Sequence, residues 1–481
     1  MKKRIAWIVL LLLILAGGIV LCVFRWDAWF ANPAEPVYAV PDEPMNVVLT
    51  FGENAASERV VSWRAGQDTT ACSRLFLTNL RTDITDTIAA SSAYVESRSG
   101  EAAFHQVHLF ALQPGDYTYR VETDGRSSDL FSFTVQDYRT AMQDTFLIFG
   151  DMQYTSLEEA TAFIDAATAT VPEADFYAYI GDIIERPTDD YWQLFFSSMK
   201  DRTACLPQVA ALGNHEYLKG VHKRYDARWP YIFVNPHNGP ERFLGRSYFI
   251  DFPLMRLIVL DTDALQRLSD YTVLRTWLTQ VLRYESTQWN QTKKENKRWN
   301  IVLMHHPVFS AGMGRDNPTI AWALRYVLKD ADLVVAGHDH NYARHRHGGA
   351  APAYVILSSS AKSYLPKCSP IEERLGCNHA FFSRVTVSAD TMRMTTFLLD
   401  TLHSSPQSQH ICLHSFTPSL LHSSIIYDDL LFVHGEEDET IVLVPDSLPE
   451  ERLELPSRYE GRNDLRVRRF HNRHRARFNN P

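Results

Sequence analysis

The chain has 481 residues, which is too long for one compact core and predicts about two to four domains. Hydrophobic residues make up 45% of the chain and charged residues 22%, an ordinary globular composition that excludes disorder over most of the length. The formal net charge is -9, so no global attraction favours nucleic acid, and we expect no nucleic-acid partner.

The N-terminus carries a long apolar segment. Residues 1–4 read MKKR, and residues 5–24 carry no charge. About 20 apolar residues suffice to cross a bilayer as a helix. The basic cluster is expected to stay in the cytoplasm, which places the rest of the chain outside it. We therefore predict a signal anchor or transmembrane helix over residues 1–24, with secretion after signal cleavage as the alternative.

The next part of the chain changes from a linker to a strand pattern. Residues 25–43 are rich in Pro and acidic residues and are expected to form an extended spacer. From residue 44 to residue 138, short segments of alternating apolar and polar residues are separated by Gly, Asn, Asp and Ser. With Trp63 on an early strand, this pattern predicts a fibronectin type III-like β-sandwich that spaces and docks the following domain.

Apolar runs between residues 145 and 340 end in residue types that bind metal ions. Short runs of Val, Ile, Leu, Phe and Tyr followed by Gly and then Asp, Asn or His are typical of buried parallel strands whose carboxyl edge carries a site. Oxygen ligands mixed with imidazoles favour Zn, Mn or Fe over Ca²⁺ or Cu⁺. The candidate ligands at these endings are Asp151, Asp182, Asn214, His305, His338 and His340.

The segments between these endings support an α/β domain over residues 139–434. Ser156 is followed three residues later by Glu159, a helix N-cap pattern that predicts a strand-helix-strand unit and hence parallel strands. Further helices are expected at residues 191–200 and 272–284. Residues 246–262 are interpreted as two adjacent strands.

The C-terminal part of the chain has two polar segments. Residues 401–423 are interpreted as an inserted loop and not as a second metal site, because the spacing of its histidines is loose (His403, His410, His414 and His422). Residues 435–481 start acidic and end with arginines from Arg466 to Arg477. We predict a charged, solvated tail there, or a weak contact with a phosphate-bearing surface polymer or with headgroups.

The six cysteines include no C-x-x-C pair, so a zinc ribbon or thioredoxin-type site is unsupported. Cys368 and Cys377 bracket a short polar loop and are predicted to form a disulfide in an oxidising compartment. Two unpaired loop cysteines are the alternative.

Together the motifs resemble a known family. Gly150-Asp151, Gly181-Asp182, Gly213-Asn214-His215-Glu216, Val302-x-x-His305 and Gly337-His338-x-His340 resemble, in order and spacing, the blocks of the calcineurin-like metallophosphoesterases. The last two blocks and the preceding sandwich resemble the purple acid phosphatases. The resemblance covers about residues 45–434 and implies a four-layer α/β/β/α domain that hydrolyses phosphate esters.

The resemblance also implies roles for individual residues. Two divalent metal ions (Mn, Fe or Zn) would be bridged by Asp182 and would generate a hydroxide nucleophile near neutral pH. One ion would take Asp151 and His340, and the other would take Asn214, His305 and His338. His215 would lie near the leaving-group oxygen as proton donor or phosphate contact, and His306 would add a supporting hydrogen bond.

Two positions depart from the purple acid phosphatase pattern. Glu185 stands where that family has the tyrosine that ligates ferric iron. Gln153 stands at a position where many other members of the superfamily have a ligating histidine. We expect Gln153 to ligate the first metal through its side-chain oxygen and the site to be all-divalent and colourless.

These inferences define the expected function. The leading hypothesis is an acid phosphatase-like phosphomonoesterase that is membrane-anchored and extracytoplasmic, either periplasmic or extracellular. The first alternative is a phosphodiesterase acting on nucleotides or lipid headgroups. The second is a catalytically inactive binding or scaffold protein, against which the intact set of ligand residues argues. The sequence leaves the oligomeric state open.

Overall fold

The computed structural model describes residues 2–32, 34–220, 222–292, 298–346, 351–400, 423–434 and 440–479. Its first element is helix α1 (Lys2–Trp29). An 18-residue window between Lys3 and Asp27 has a mean hydropathy of 3.0, and none of that window is buried inside the protein. This exposed apolar helix is long enough to cross a membrane and is compatible with an anchor or a signal sequence.

A β-sandwich follows the helix, as predicted. Its core holds Trp63, Tyr119 and Phe133, which lie between two sheets. The strands are β1 (Met45–Phe51), β2 (Arg59–Arg64), β3 (Ser73–Asn79), β4 (Ile84–Ala89), β5 (Ser91–Ser97), β6 (Gly100–Leu109), β7 (Gly115–Thr123), β8 (Arg126–Ser127) and β9 (Phe131–Val135). One sheet pairs β1, β2, β6 and β5, and the other pairs β4, β3, β7 and β8, with β9 also on β7.

The α/β domain contains the remaining elements. Its strands are β10 (Gln143–Phe149), β11 (Phe176–Ile180), β12 (Gln208–Ala211), β13 (Tyr217–Leu218), β14 (Arg224–Tyr225), β15 (Tyr248–Asp251), β16 (Met255–Leu260), β17 (Trp299–Met304), β18 (Leu333–Ala336), β19 (Tyr342–Arg346), β20 (Ala353–Ile356), β21 (Arg374–Gly376), β22 (Ala380–Ser388), β23 (Thr391–Asp400), β24 (Ser423–His434) and β25 (Thr440–Leu443). Its helices are α2 (Leu157–Thr170), α3 (Asp189–Met199), α4 (Arg202–Cys205), α5 (Trp229–Ile232), α6 (Leu268–Thr292), α7 (Pro318–Leu324) and α8 (Leu465–Asn479).

Two mixed sheets form the centre of this domain. The first has the order β25-β24-β23-β22-β10-β11-β12 and continues into the sandwich through β1, and the second has the order β15-β16-β17-β18-β20-β19-β21. Apolar side chains of both sheets meet between them, including Phe146, Ile180 and Ile301. Helices α2 and α3 cover the outer face of the first sheet, and α6 and α7 cover that of the second. The predicted four-layer arrangement is therefore confirmed.

The parallel pairing follows from local sequence signals. The hydroxyl of Ser156 accepts a hydrogen bond from the backbone N–H of Glu159, so α2 begins where the capping pattern predicts. This helix connects β10 to β11, which pair in parallel. β11 with β12, and β17 with β16 and β18, are also parallel. Their carboxyl ends consequently lie at one rim of the domain.

The spacer after α1 is docked, in contrast to the prediction of a free extended linker. Glu35 is an acceptor for Arg228 Nη1 at 2.7 Å, and the side chain of Glu35 is only 1% exposed. Asn32 and Lys219 are joined by two hydrogen bonds. A buried carboxylate needs a charged partner, and the α/β domain provides one that no local sequence pattern indicates.

The predicted charged tail is also partly folded. β25 pairs with β24, and α8 packs Val467 and Phe470 onto the domain with both side chains buried. These two residues are three apart and so share one face of the helix, which explains why an Arg-rich segment is held. The acidic start of the tail, residues 435–439, and the histidine-rich residues 401–422 lie outside the described residues.

The predicted disulfide is wrong. Cys368 and Cys377 are free, buried thiols. The thiol of Cys377 donates to the carbonyl of Glu454 at 3.0 Å. Burial raises the pKa of Cys368 to about 12 and also raises that of Cys377, so both remain protonated and unreactive at neutral pH.

Candidate metal centre

The predicted ligand residues converge at the rim formed by the strand ends. Asp151, Asp182 and His305 follow β10, β11 and β17, and their ligand atoms all lie within 4.8 Å of one another. They come from both sheets, so the packing of the two sheets brings them together. Asp182 faces the other residues, as a bridging position requires.

Asn214 and His338 complete the cluster on one side. His305 Nε2 lies 3.3 Å from Asp182 Oδ2 and 3.3 Å from Asn214 Oδ1. His338 Nδ1 lies 3.0 Å from the same Asn214 oxygen and 3.3 Å from His305 Nε2. On the other side, His340 Nε2 lies 3.7 Å from Asp151 Oδ1. All six residues predicted from the strand endings are therefore at one place.

The backbone at the site is strained. Asp151, Gln153, Asp182, His338 and His340 all have φ between 37° and 71°, the left-handed region that non-glycine residues avoid. Such residues cost about 1 kcal/mol or more each and cluster at functional sites, where the surrounding fold imposes them. The turns aim the five side chains back across the rim.

The close approach of Asp182 to the backbone beside Asn214 requires a glycine at position 213. A Cβ on Gly213 would lie 2.3 Å from both the backbone nitrogen and Oδ1 of Asp182. Any side chain at this position would displace Asp182, so the glycine of this block serves the geometry of the site.

The buried carboxylates of the cluster need positive charge close to them. Burial raises the pKa of Asp182, but the charges of His305 and His215 outweigh it and hold that pKa below its usual range. Burial lowers the pKa of His305, yet Asp182 outweighs it and raises that pKa to about 10. Burial also raises the pKa of Asp151 to about 7. Neighbouring positive charge therefore stabilises the buried carboxylate of Asp182.

The donor set fits divalent cations. Oδ2 of Asp151 is buried, and no group within the described part of the chain forms a hydrogen bond to it. Carboxylate oxygens, an amide oxygen and imidazole nitrogens lie within a few ångströms of one another. Together these atoms have more acceptor lone pairs than donor hydrogens. Such a set is suited to Zn, Mn or Fe.

Sequence reasoning gave Glu216 no role, although it ends the Gly213-Asn214-His215-Glu216 block. Its carboxylate is fully buried and accepts hydrogen bonds from four backbone N–H groups, those of Gly213 (2.7 Å), Asp182 (2.9 Å), Ile183 (2.8 Å) and Ile184 (3.2 Å). It therefore ties together the two loops that carry Asp182 and Asn214. The sequence signal that could have identified Glu216 is an acidic residue placed directly after a block of candidate ligands, because such side chains are rarely buried without partners.

Lys362 is a second residue that the sequence did not indicate. Its ammonium donates to Gln153 Oε1 at 2.8 Å and to Glu185 Oε2 at 3.1 Å. Gln153 Nε2 in turn donates to Asp182 Oδ2 at 2.8 Å. The two departures from the purple acid phosphatase pattern, Glu185 and Gln153, are thus joined through one lysine.

This arrangement gives Gln153 two hydrogen-bond partners at the site, while its expected role as a metal ligand stays a prediction. The side-chain oxygen that was expected to bind a metal accepts a hydrogen bond from Lys362. Rotating the amide would place its NH₂ group against the ammonium of Lys362, so the cation holds the observed orientation. Gln153 therefore lies at the site but presents an N–H donor to Asp182.

The two histidines predicted to assist catalysis lie beside the cluster. His215 donates its backbone N–H to Asp182 Oδ1 at 2.8 Å, and its Nδ1 is bonded to the carbonyl of Glu185. Its Nε2 is 4.0 Å from Asp182 Oδ2, and the side chain is 26% exposed. A hydrogen on Nδ1 directed at a carbonyl leaves Nε2 directed into the site.

His306 lies deeper in the protein. Its ring centroid is 4.1 Å from that of His338, and its Nδ1 is 2.9 Å from the hydroxyl of Thr262 and 3.5 Å from Asp263. Burial and the charge of His305 lower its pKa well below the usual value, so it is neutral at physiological pH. It supports His338 by packing.

Comparisons with known proteins agree with this geometry. Residues 145–342 match the calcineurin-like phosphoesterase family, and residues 44–135 match the purple acid phosphatase N-terminal domain. These matches identify a calcineurin-like phosphoesterase domain at residues 145–342, preceded by a purple acid phosphatase N-terminal domain. The order of these two domains is a purple acid phosphatase-like architecture.

Individual relatives are distant. An uncharacterised protein of Mycobacterium tuberculosis is 26% identical over 331 residues, which cover 62% of this chain and 61% of that protein. The chain therefore spans about three fifths of the length of that relative. A phosphoenolpyruvate phosphatase of Allium cepa is 22% identical over 70% of this chain and 71% of its own. The solved structure of PhoD matches with a TM-score of 0.56 at 13% identity, over 93% of this chain and 99% of that one, which shows a shared fold.

Proposed function

We propose that this phosphoesterase is a metal-dependent hydrolase of phosphate monoesters. The observation that carries the proposal is the convergence of six donors from both sheets on one rim, with Oδ2 of Asp151 buried and without a hydrogen-bond partner among the described residues. A purely structural cluster would satisfy that oxygen within the protein. Divalent cations supply a polarised phosphate and an activated nucleophile for hydrolysis.

We propose two metal positions. Asp151 and His340 would hold one ion, and Asn214, His305 and His338 the other, with Asp182 between them. The distances support this division, because Asn214 Oδ1 is close to both His305 and His338, whereas His340 is close to Asp151. Gln153 would act from the rim, as a hydrogen-bond donor to Asp182.

The chain's own groups have distinct roles in the proposed reaction. His215 directs Nε2 into the site and would protonate or contact the leaving-group oxygen. Lys362, with its side chain 32% exposed, and Arg315, 21% exposed, would bind the remaining phosphate oxygens. His306 would hold His338 in place. Cationic groups at the rim favour a monoester dianion over a diester, which carries less charge.

The relatives and the N-terminal helix support two further parts of the proposal. The relative from Allium cepa is named for a phosphomonoester, phosphoenolpyruvate. The basic residues at the start of α1 favour a cytoplasmic N-terminus, so α1 would anchor the catalytic domain outside the cytoplasm.

The test combines metal analysis with hydrolysis. The full-length protein in detergent is assayed for bound metal by mass spectrometry and for activity on a panel of phosphate mono- and diesters. Asp182→Asn is expected to lower the metal content by at least one ion and the activity by more than about 100-fold. The control is Asp165→Asn, which removes an exposed carboxylate paired with Lys200. Full activity and full metal content in Asp182→Asn would refute the proposal.

A further inference from the structure

The end of α1 contacts the hairpin that follows the metal centre. Lys219 Nζ donates to the carbonyl of Asp27 at 3.0 Å, and the side chain of Asn32 bonds to both the carbonyl (2.8 Å) and the N–H (2.9 Å) of Lys219. Lys219 is five residues after Asn214, and even a fully extended chain of that length spans only about 17 Å. The backbone of Lys219, which carries these contacts to α1 and the spacer, therefore lies within about 17 Å of the backbone of the candidate ligand Asn214.

A buried charge network fixes this arrangement. Arg228 bonds to Glu35 in the spacer, and to Asp189 and Asp226 in the α/β domain. Arg64 in the sandwich bonds to the same Asp189 at 2.6 Å. The side chains are at most 4% exposed, so the spacer, the sandwich and the α/β domain share one dry set of ion pairs. The helix end is thereby held at a defined position relative to the site.

A cationic surface lies on the same rim. Helix α8 packs beside the loop after β17, where Gly314 is close to Arg466, and the same loop carries Arg315, which donates to the carbonyl of His338 at 2.6 Å. A groove of about 920 Å³ lies between α8 and these loops. Its basic lining residues are Lys367, Arg466, Arg469, Arg473 and Arg477. The acidic groups near it include Asp316, which pairs with Lys367, and Glu451, which pairs with Arg477. Glu372 is close to Lys367, Arg473 and Arg477, and Asp464 accepts from the backbone N–H of Arg466.

We propose that the substrate is a phosphate ester carried by a membrane lipid, presented from the leaflet at which α1 ends. This inference rests on the proposed function and names its substrate class. The hairpin contact places the metal centre close to the bilayer, the buried network holds it there, and exposed arginines on α8 favour anionic headgroups. A soluble ester needs none of these features.

The experiment uses the full chain in nanodiscs of phosphatidylcholine that contain long-chain phosphatidic acid as a minor component. The reference substrate is dibutyryl phosphatidic acid, which has the same headgroup but is water-soluble. The test variant carries a Gly-Ser insertion between Phe30 and Ala31, a position that leaves Asn32 and Glu35 bound to the α/β domain. An insertion of about 18 residues has a root-mean-square span of about 24 Å, so the metal centre is no longer held at a fixed distance from the bilayer.

The expected result is a loss of about ten-fold in the rate on the long-chain lipid, with the rate on the soluble ester unchanged, because the site no longer faces the bilayer. Equal rates of lipid hydrolysis with and without the insertion would overturn the inference. So would a wild-type protein that hydrolyses the soluble ester but not the lipid, while the proposed function would stand. A metal-loaded protein that hydrolyses no ester would defeat the proposed function itself.

A second variant tests the cationic surface. Replacing Arg466, Arg469 and Arg473 with Gln leaves Val467 and Phe470 to hold α8 in place. The lipid rate of the wild type is expected to fall as ionic strength rises from about 0.01 to about 0.15 M, because screening weakens attraction to anionic headgroups. The variant should lose this salt dependence. An unchanged salt dependence would exclude α8 as the contact with anionic lipid.

Discussion

Replacing Arg228 tests how the spacer, the sandwich and the α/β domain are held together. Its Nε bonds to Asp226 at 2.9 Å, its Nη1 to Glu35 at 2.7 Å and to Asp189 at 2.8 Å, and its Nη2 to the carbonyl of Pro187 at 2.8 Å. Burial lowers the pKa of a guanidinium, but here the charge of Asp226 and the other carboxylates raises it instead. In Arg228→Met, the apolar stem would remain and these partners would lose their cation.

The structure sets the size of the effect. Arg64 still pairs with Asp189 in the variant, so the carboxylates of Glu35 and Asp226 are the ones left without a cation. Removing one partner of a buried ion pair costs about 3–5 kcal/mol. At about 2–4 °C per kcal/mol for a domain of this size, a loss of about 4 kcal/mol lowers the melting temperature by about 8–16 °C.

The assay is thermal unfolding of the full-length protein in detergent, together with limited proteolysis. We expect the spacer around Glu35 to become cleavable in Arg228→Met, because its buried carboxylate will leave the protein for water. Arg139→Met is the matched control, since Arg139 is 79% exposed and, among the described residues, forms an ion pair only with nearby Asp137. A shift below about 3 °C in Arg228→Met, with the spacer still protected, would refute the account of the network.

Three further predictions concern the site and the pH dependence of stability. Glu216→Gln leaves two of the four backbone N–H groups without an acceptor, at about 1–3 kcal/mol each, so the variant should release metal faster to a chelator than the wild type does. Lys362→Met should lower kcat/KM on phosphate monoesters by about ten-fold while metal content stays constant, whereas Lys329→Met on the surface should change neither. Burial raises the pKa of Asp144 from 3.8 to about 7, so the folded state binds the extra proton and stability is lost as pH rises from about 4 to about 7. Asp144→Asn should therefore become more stable than the wild type by up to about 4 kcal/mol above pH 7, measured by denaturant unfolding across pH, and an advantage that does not grow with pH would contradict this.

Local sequence patterns were sufficient for the layers of the fold and for the candidate ligands. Alternation of apolar and polar residues specifies strands with one buried face, and this is a property of neighbours in the chain. Likewise, Gly followed by Asp, Asn or His at the end of an apolar run marks the carboxyl end of a buried strand. Parallel pairing brings the strand ends that carry Asp151 and Asp182 together. His305 follows a strand of the second sheet, and the packing of the two sheets places its ligand atom within 4.8 Å of theirs.

Tertiary packing alone decided the rest. Lys362 and Gln153 are 209 residues apart and Arg228 and Glu35 are 193 apart, and each pair is joined by a hydrogen bond that no local pattern encodes. The same holds for α8. Its arginines predict a solvated tail, but Val467 and Phe470 are buried against the domain. Hydrophobic periodicity reports which face of an element is buried, but the choice of a partner for a buried charge depends on which distant segment packs there. For that reason the sequence determined which residues are candidate ligands, whereas the docking of the spacer and the orientation of Gln153 emerged only from the folded chain.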